Sequence, residues 1–266
     1  MTTASYAIAD SATMLRRDFR HMLRYPSMTL QLIGLPIVLL LLFVYVFGGT
    51  LGAGLGSAAG GRAEYLRYIV PGILLMTVAA KAQGTAISVA MDMTEGVIAR
   101  FRTMAIFRPA LLVGHVVGSV TQCLLSLALV TGVAVLIGFR PNATLVEWLA
   151  AAGVLALISL ALTWLTVALG LVAKTVESSS NLPMPLVFLP FLGSGFVPTD
   201  SMPTALRWFA EYQPFTPFIE TLRGLLLGTA IGNSAGVAVA WCVGITLVSF
   251  LWARAAFNRD PGPTAT

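Results

Sequence analysis

Residues 92–108 read DMTEGVIARFRTMAIFR and place five charged residues between two long apolar segments. Asp92, with Glu95 three positions later, has the spacing of a capping box, in which two side chains accept from backbone N–H groups at a helix start. The stretch therefore predicts a short helix that begins at Asp92 and separates two membrane spans.

The rest of this stretch has one apolar and one cationic side. Ile98, Phe101 and Met104 recur at helical spacing, whereas Arg100 and Arg102 point elsewhere. Such a helix could dock on a partner through its apolar face. The alternative is an ordinary loop whose arginines only fix the orientation of the chain in the membrane.

The composition is that of a membrane protein. Of the 266 residues, 57% are hydrophobic and 10% are charged, against roughly 45–50% and about 25% in soluble domains. The mean hydropathy is +0.87. The basic residues lie at the flanks of apolar segments rather than in one patch with aromatic residues, which argues against nucleic-acid binding.

Six apolar segments are predicted to cross the membrane, since about 20 helical residues span a bilayer core. The fifth segment is short and contains three prolines, so we expect it to be kinked. Between the first two spans, the Gly-rich residues 48–61 are expected to form a flexible loop. The predicted spans are residues 28–47, 68–90, 109–137, 148–173, 182–197 and 230–253.

Two flanking regions complete the predicted organisation. Residues 1–27 carry four arginines beside an apolar stripe, which is typical of an interfacial amphipathic helix. Residues 28–253 then form one transmembrane domain, and residues 254–266 form a tail. An excess of Lys and Arg on the side of both termini places the two ends in the cytoplasm.

Two short helices are predicted before the last span. Ser201 precedes Pro203 and Thr216 precedes Pro217, and each pair has the form of a helix cap followed by proline. Both helices would be too short to cross the membrane. From the residues alone, a surface loop with interfacial aromatic side chains is the alternative.

Two blocks of sequence resemble one family. Residues 95–102, EGVIARFR, are similar to the cytoplasmic coupling segment of bacterial ABC exporter permeases with the type-2 transmembrane domain, particularly the daunorubicin-resistance-like subfamily. The second block resembles the signature that precedes the last span in that family. It consists of GFVP at 195–198, SMP at 201–203, PFT at 214–216 and LRG at 222–224.

The resemblance implies an all-α polytopic protein of the bacterial inner membrane, with six transmembrane helices, a cytoplasmic coupling helix and a re-entrant helical hairpin before the last span. It implies the permease subunit of an ATP-driven exporter for an amphipathic drug, lipid or similar compound. ATP and magnesium would be bound by a separate ATPase subunit, present in two copies. The permease would pair with itself or with a similar permease.

The residues expected to carry these roles form two sets. The ATPase-coupling residues are Asp92, Glu95, Ile98, Arg100, Phe101, Arg102 and Met104. The substrate-pathway residues are Lys81, Gln83, Phe191, Gly195, Phe196, Trp208 and Phe215.

Lys81 lies well inside the second predicted span, where a charge costs about 2.5–3.5 kcal/mol at the helix centre. The long apolar side chain could extend towards the membrane interface and place the ammonium in water there. Alternatively, it could face a cavity and bind an anionic group.

The sequence contains none of the phosphate-binding, zinc-protease or nucleophile-elbow motifs, so we expect no catalysis and no bound cofactor or metal. Two other classes of function stay open. An ion-coupled secondary transporter would be expected to carry carboxylates inside its spans, and Asp and Glu lie near segment ends here. A membrane assembly component without transport activity is the third possibility.

Overall fold

The computed structural model describes residues 26–54, 61–94, 109–173 and 175–258, and every regular element in those ranges is helical. The predicted all-α fold is therefore confirmed. The elements are α1 (Pro26–Leu42), a π-helical turn (Phe43–Phe47), α2 (Gly48–Ala53), α3 (Arg62–Thr94), α4 (Pro109–Leu136), α5 (Leu145–Val172), α6 (Val176–Asn181), α7 (Met184–Phe188), a 3-10 turn (Thr199–Ser201), α8 (Thr204–Tyr212), α9 (Phe215–Leu227) and α10 (Ser234–Asn258).

Several predicted features lie outside the described residues. They are almost all of the interfacial helix at 1–27, the coupling segment from Glu95 to Arg108, and the tail beyond residue 258. The predicted domain boundaries therefore stay predictions.

Five helical segments in the described ranges are long and apolar enough to cross a membrane. They correspond to the first four predicted spans and the last one. The chain is thus a multi-pass membrane protein. The five segments are Gly34–Ala53, Arg62–Thr94, Val113–Leu136, Leu145–Val172 and Ser234–Phe257.

The fifth predicted span, residues 182–197, is not a single helix. Only α7 is regular within it, and turns follow α7 as far as Val197. Pro183, Pro185 and Pro190 explain the break, because proline has no N–H donor and clashes with the preceding helical turn.

The Gly-rich stretch after the first span is partly helical, which corrects the predicted loop at 48–61. The helix continues through the π-helical turn into α2, which ends at Ala53. A Cβ atom on Gly52 would lie 2.4 Å from the carbonyl oxygen of Gly61. Glycine is therefore needed because the end of α2 packs directly against the residue before α3.

Helix α3 is the centre of the bundle. From Tyr65 to Ala79 nearly every side chain is buried, against α5, α9 and the residues around Gly195. A Cβ atom on Gly170 of α5 would lie 2.6 Å from the Ala86 carbonyl oxygen, so α3 and α5 approach backbone to backbone. By contrast, α1 and α10 expose much of their apolar surface.

Two helix starts differ from the predictions. Helix α5 begins at Leu145 because Thr144 and Glu147 form a reciprocal capping box. Helix α9 begins at Phe215, and the hydroxyl of Thr216 donates to the Ala210 carbonyl oxygen instead of capping a helix.

The prediction that Asp92 starts a new helix is wrong. Helix α3 continues to Thr94, so Asp92 lies in its last turn. The carboxylate is engaged across the bundle with His115 on α4, at 2.8 Å. A residue in the last turn of a helix is not at a helix start and therefore does not act as an N-cap there.

Candidate functional site

A row of polar side chains joins the second half of α3 to α4. Lys81, Thr85 and Asp92 lie four and seven residues apart on α3, so they share one face of that helix. Their partners on α4 are Gln122, Ser119 and His115, which also share a face and run in the opposite direction. We call these three cross-helix contacts the polar ladder.

The first contact holds Lys81. Its ammonium donates to the side-chain carbonyl oxygen of Gln122, and the residue is half-buried. The hydroxyl of Ser126, one turn further along α4, donates to the Gln122 backbone carbonyl at 2.9 Å. Lys81 thus has a polar partner within the bundle, in a segment that is otherwise apolar.

The next contacts connect α3 to α4 and α6. The hydroxyls of Thr85 and Ser119 are hydrogen-bonded to each other, and both residues are buried. Gln83 points to another neighbour, since its amide nitrogen donates to the Ser180 carbonyl oxygen at 2.8 Å. Gln83 therefore ties α6 to α3 rather than joining the polar ladder.

The third contact of the ladder, between Asp92 and His115, lies at the end of α3, next to the predicted coupling segment. His115 Nε2 lies 2.8 Å from Asp92 Oδ2, and the two side chains are only 15% and 22% exposed. Glu95, Ile98, Arg100, Phe101, Arg102 and Met104 lie beyond the described residues. Of the predicted coupling residues, Asp92 alone is thus described.

The aromatic residues predicted to line the substrate pathway lie in three different environments. Phe191 and Phe196 stack with ring centroids 4.1 Å apart, and Phe43 of the first span lies against Phe196 at 5.1 Å. Phe215 is completely buried in the bundle core. Trp208 is 65% exposed on α8.

Gly195 lies where two backbones meet. A Cβ atom on Gly72 of α3 would be 2.7 Å from the Gly195 carbonyl oxygen, and a Cβ atom on Gly195 would be 2.8 Å from the Pro190 carbonyl oxygen. This segment is therefore in direct backbone contact with α3. A larger side chain at Gly195 does not fit.

Residues 11–227 match the family described as ABC-2 type transporter. That match covers most of the chain. The chain belongs to the ABC-2 type transporter family. It is a membrane subunit of an ABC transporter, and subunits of this kind take part in transport rather than catalysis.

Named relatives of this ABC-2 chain extend over most of its length. The daunorubicin resistance ABC transporter permease protein DrrB1 of Streptomyces coeruleorubidus is 28% identical over 91% of the chain and 83% of the relative. The "Probable doxorubicin resistance ABC transporter permease protein DrrC" of Mycobacterium tuberculosis is 25% identical over 69% and 66%. The inner membrane transport permease YadH of Escherichia coli is 24% identical over 85% and 88%.

The ABC-2 chain also contains a half-buried arginine, Arg223, that was overlooked as a functional residue in the sequence. Arg223 of α9 donates through Nη2 to the carbonyl oxygens of Ser194, at 2.6 Å, and Tyr68, at 3.3 Å. Its guanidinium also lies 4.0 Å from the centre of the Tyr68 ring. The signal was an arginine within the apolar run LRGLLL, where a charge requires a partner.

Arg207 of α8 differs from Arg223 in that its guanidinium is exposed and pairs with carboxylates. Arg207 pairs on the surface with Glu211 at 2.7 Å and Asp200 at 2.8 Å. The hydrogen bond that Arg207 donates to the Glu211 carboxylate, followed by the charge of Asp200, raises the pKa of the Arg207 guanidinium. Because the group is exposed, this pairing stabilises the fold little. Within the described ranges, no cluster of His, Cys, Asp and Glu could hold a metal ion.

Proposed function

We propose that this ABC-2 chain is the permease of an ATP-driven exporter, and that the polar ladder links its coupling segment to the transport pathway. The observation that carries the proposal is the position of the ladder. It begins at Asp92 and His115, next to the coupling segment, and ends at Lys81 inside a span. Movement of the coupling segment would therefore act first on these contacts.

The proposed topology has six crossings, of which the fifth is broken. Its first end contacts α3 at Gln83 through Ser180, and its second end contacts α3 at Tyr65 through the Phe196 carbonyl oxygen. These contacts are 18 residues apart on α3, about 27 Å at 1.5 Å per residue, close to the thickness of a bilayer core of about 30 Å. Irregular backbone is tolerated at that depth when protein covers it.

Contacts along the broken crossing and at the end of α9 support a re-entrant hairpin formed by α8 and α9. The chain reaches the Tyr65 end of α3 at Phe196. Gln213, between the two helices, donates to the carbonyl oxygen of Leu189, which lies deeper along the broken crossing. The end of α9 returns to the loop before α5, where the Asn142 N–H donates to the Leu226 carbonyl oxygen.

In this proposal both termini are cytoplasmic, as the distribution of Lys and Arg in the sequence predicts, and the protein lies in the bacterial inner membrane, as the family resemblance implies. The relative YadH is described as an inner membrane permease. Two copies of the chain, or this chain and a similar permease, would bind two copies of an ABC ATPase. ATP and magnesium would be bound by the ATPase.

The proposed contact with the ATPase is the segment from Glu95 to Met104, with Phe101 as its anchor. A central aromatic side chain seated in a pocket often dominates an interface of this kind. Arg100 and Arg102 would pair with acidic groups of the ATPase. Closure of the two ATPase subunits on ATP would move the paired segments and change the balance between inward-facing and outward-facing states.

The proposed substrate is an amphipathic compound, and daunorubicin is the first to test because the relative DrrB1 is named for resistance to it. The aromatic cluster of Phe43, Phe191 and Phe196 offers apolar contacts at one end of the broken crossing. Lys81 would contact a polar group of the substrate from the ladder.

The experiment is co-purification of the chain with its ABC ATPase, followed by reconstitution of the complex in liposomes. We expect daunorubicin transport that needs ATP and magnesium. Phe101→Ala should abolish most of the substrate-stimulated ATP hydrolysis and weaken the complex. Phe188→Ala, which removes an exposed aromatic side chain of α7, is the matched control and should leave both unchanged.

Two results would contradict the proposal. An intact Phe101→Ala complex with full substrate-stimulated hydrolysis would show that the coupling segment is elsewhere. Transport driven by an ion gradient without ATP would support a secondary transporter instead.

A further inference from the structure

A cavity of about 730 Å³ lies beside the first turns of α3, next to the α4–α5 loop and the end of α9. We call it the arginine cavity, because the side chains of Arg67 and Arg223 both line it. Glu64, Tyr68, Asn142 and Thr229 complete its polar lining. None of the predicted pathway or coupling residues is among them.

Both arginines have a donor that no described residue accepts. Arg223 is fixed by its two carbonyl contacts and by the Tyr68 ring, but its Nε is buried without a partner. The Nε of Arg67 is also buried without a partner. Each guanidinium has five N–H donors, so the arginines that line the cavity can offer donors other than Nε to an anion bound there.

The charges near the cavity limit how negative such an anion can be. Two guanidinium groups and the Glu64 carboxylate line the cavity. The Glu220 carboxylate, which accepts from the Ser234 hydroxyl at 2.7 Å, also acts electrostatically on Arg223. Since the two carboxylates balance the formal charge of the two guanidinium groups, only the local geometry of the guanidinium donors favours an anion, and a group with one negative charge fits better than one with two.

The position of the cavity suggests where this group comes from. The cavity is at the ends of the membrane-crossing helices α3, α4 and α5, where lipid headgroups lie. Arginine side chains bind phosphate oxygens through charge-assisted and often bidentate hydrogen bonds. We propose that the arginine cavity binds the singly charged phosphodiester of a membrane phospholipid, with Arg67 and Arg223 as the donors.

The test uses the purified full-length protein, delipidated in detergent, at constant ionic strength. The probe is diheptanoyl phosphatidylglycerol, and the readout is the thermal unfolding midpoint, because a ligand that binds only the folded state raises it. Diheptanoylglycerol, which lacks the phosphate, and inorganic phosphate are compared at equal concentration. We expect a rise with the phospholipid and no rise with either control compound.

Arg67→Gln is the main variant, since Arg223 also holds the backbone of Ser194. Loss of charge-assisted hydrogen bonds should raise the phospholipid concentration for half-maximal effect at least about tenfold. Arg67→Lys keeps the charge but loses the planar fork, so it should recover part of the affinity. Arg207→Gln, at an exposed arginine of α8, is the matched control and should bind like the wild type.

Three results would overturn the proposal. Equal affinity of Arg67→Gln and the wild type would show that Arg67 does not bind the lipid. An equal rise with diheptanoylglycerol would show that only the acyl chains bind. An equal rise with inorganic phosphate would show a site for free anions rather than for lipid.

Discussion

The two halves of α3 are held by different forces. Residues 65–79 form an apolar half, where nearly every side chain is buried and the backbone of Gly72 meets that of Gly195. Residues 80–94 form a polar half, which is joined to α4 by the polar ladder and to α6 by Gln83. The polar half still meets α5 backbone to backbone at Ala86, but its contacts with α4 and α6 are hydrogen bonds.

The difference suggests which part can move. Hydrogen bonds between transmembrane helices contribute about 0.6 kcal/mol each on average, so the three ladder contacts together amount to about 2 kcal/mol. Separating α3 from its neighbours in the apolar half would leave many buried side chains without packing partners, and losing one such side chain alone costs about 2–5 kcal/mol. The polar half can therefore exchange partners at a cost that ATP binding could supply, whereas the apolar half should stay fixed.

The largest effect on stability is expected in the apolar half. Gly195→Ala places a Cβ atom against the Pro190 carbonyl oxygen and should lower the unfolding free energy by about 2 kcal/mol. Gly153→Ala is the matched control, because a Cβ atom there meets nothing within 4 Å. Thermal unfolding in detergent measures both. An unchanged midpoint for Gly195→Ala would mean that the contact with α3 is looser than described.

A different outcome is expected for Lys81→Met in the polar half. The variant loses the bond to Gln122 but also removes a charge from a span, so stability should be unchanged or higher. Substrate-stimulated ATP hydrolysis should fall, while basal hydrolysis persists. Gln122→Leu should reproduce part of this loss.

The interpretation in which Lys81 only extends to the membrane interface gives another result. In that case, Lys81→Met at normal expression transports as well as the wild type. Full transport would therefore remove Lys81 from the substrate pathway.

The smallest effect concerns the middle contact of the ladder. Thr85→Val and Ser119→Ala, combined in a double-mutant cycle, should give a coupling energy of about 0.6 kcal/mol. Thr77→Val in the apolar half is the control, since its hydroxyl donates to Ile73 in the same helix. It should show no coupling to Ser119→Ala. Equal coupling for both would remove the distinction between the two halves.

Much of the fold could be predicted because lipid imposes a strict rule on long apolar segments, which must satisfy their backbone as helices. That rule located five spans, with boundaries within about six residues of the observed ones. It failed where glycine made two interpretations possible, since the stretch after Phe47 is flexible alone but helical when Gly52 packs against Gly61. At the fifth segment the three prolines predicted a kink, and the structure has a break, with α7 as its one regular helix.

The site was harder to predict because its contacts join residues far apart in sequence. Lys81 was recognised from its cost in an apolar span, but nothing local indicated Gln122 as its partner. Asp92 had the correct spacing for a cap, yet the competing contact with His115 prevails. Arg223 was overlooked because its acceptors are backbone carbonyls, which no side-chain pattern reveals.

The most direct test of the account compares movement at the two ends of α3. Nitroxide labels at Met93→Cys and Val113→Cys would report on the polar half, and labels at Ala63→Cys and Leu136→Cys on the opposite end, with the buried Cys123 and Cys242 replaced by alanine. The dipolar coupling within each pair is measured in the complex with the ABC ATPase, before and after ATP, magnesium and vanadate are added. The account predicts a clear change for the first pair and little or none for the second. A constant coupling at the first pair, or an equal change at both, would contradict it.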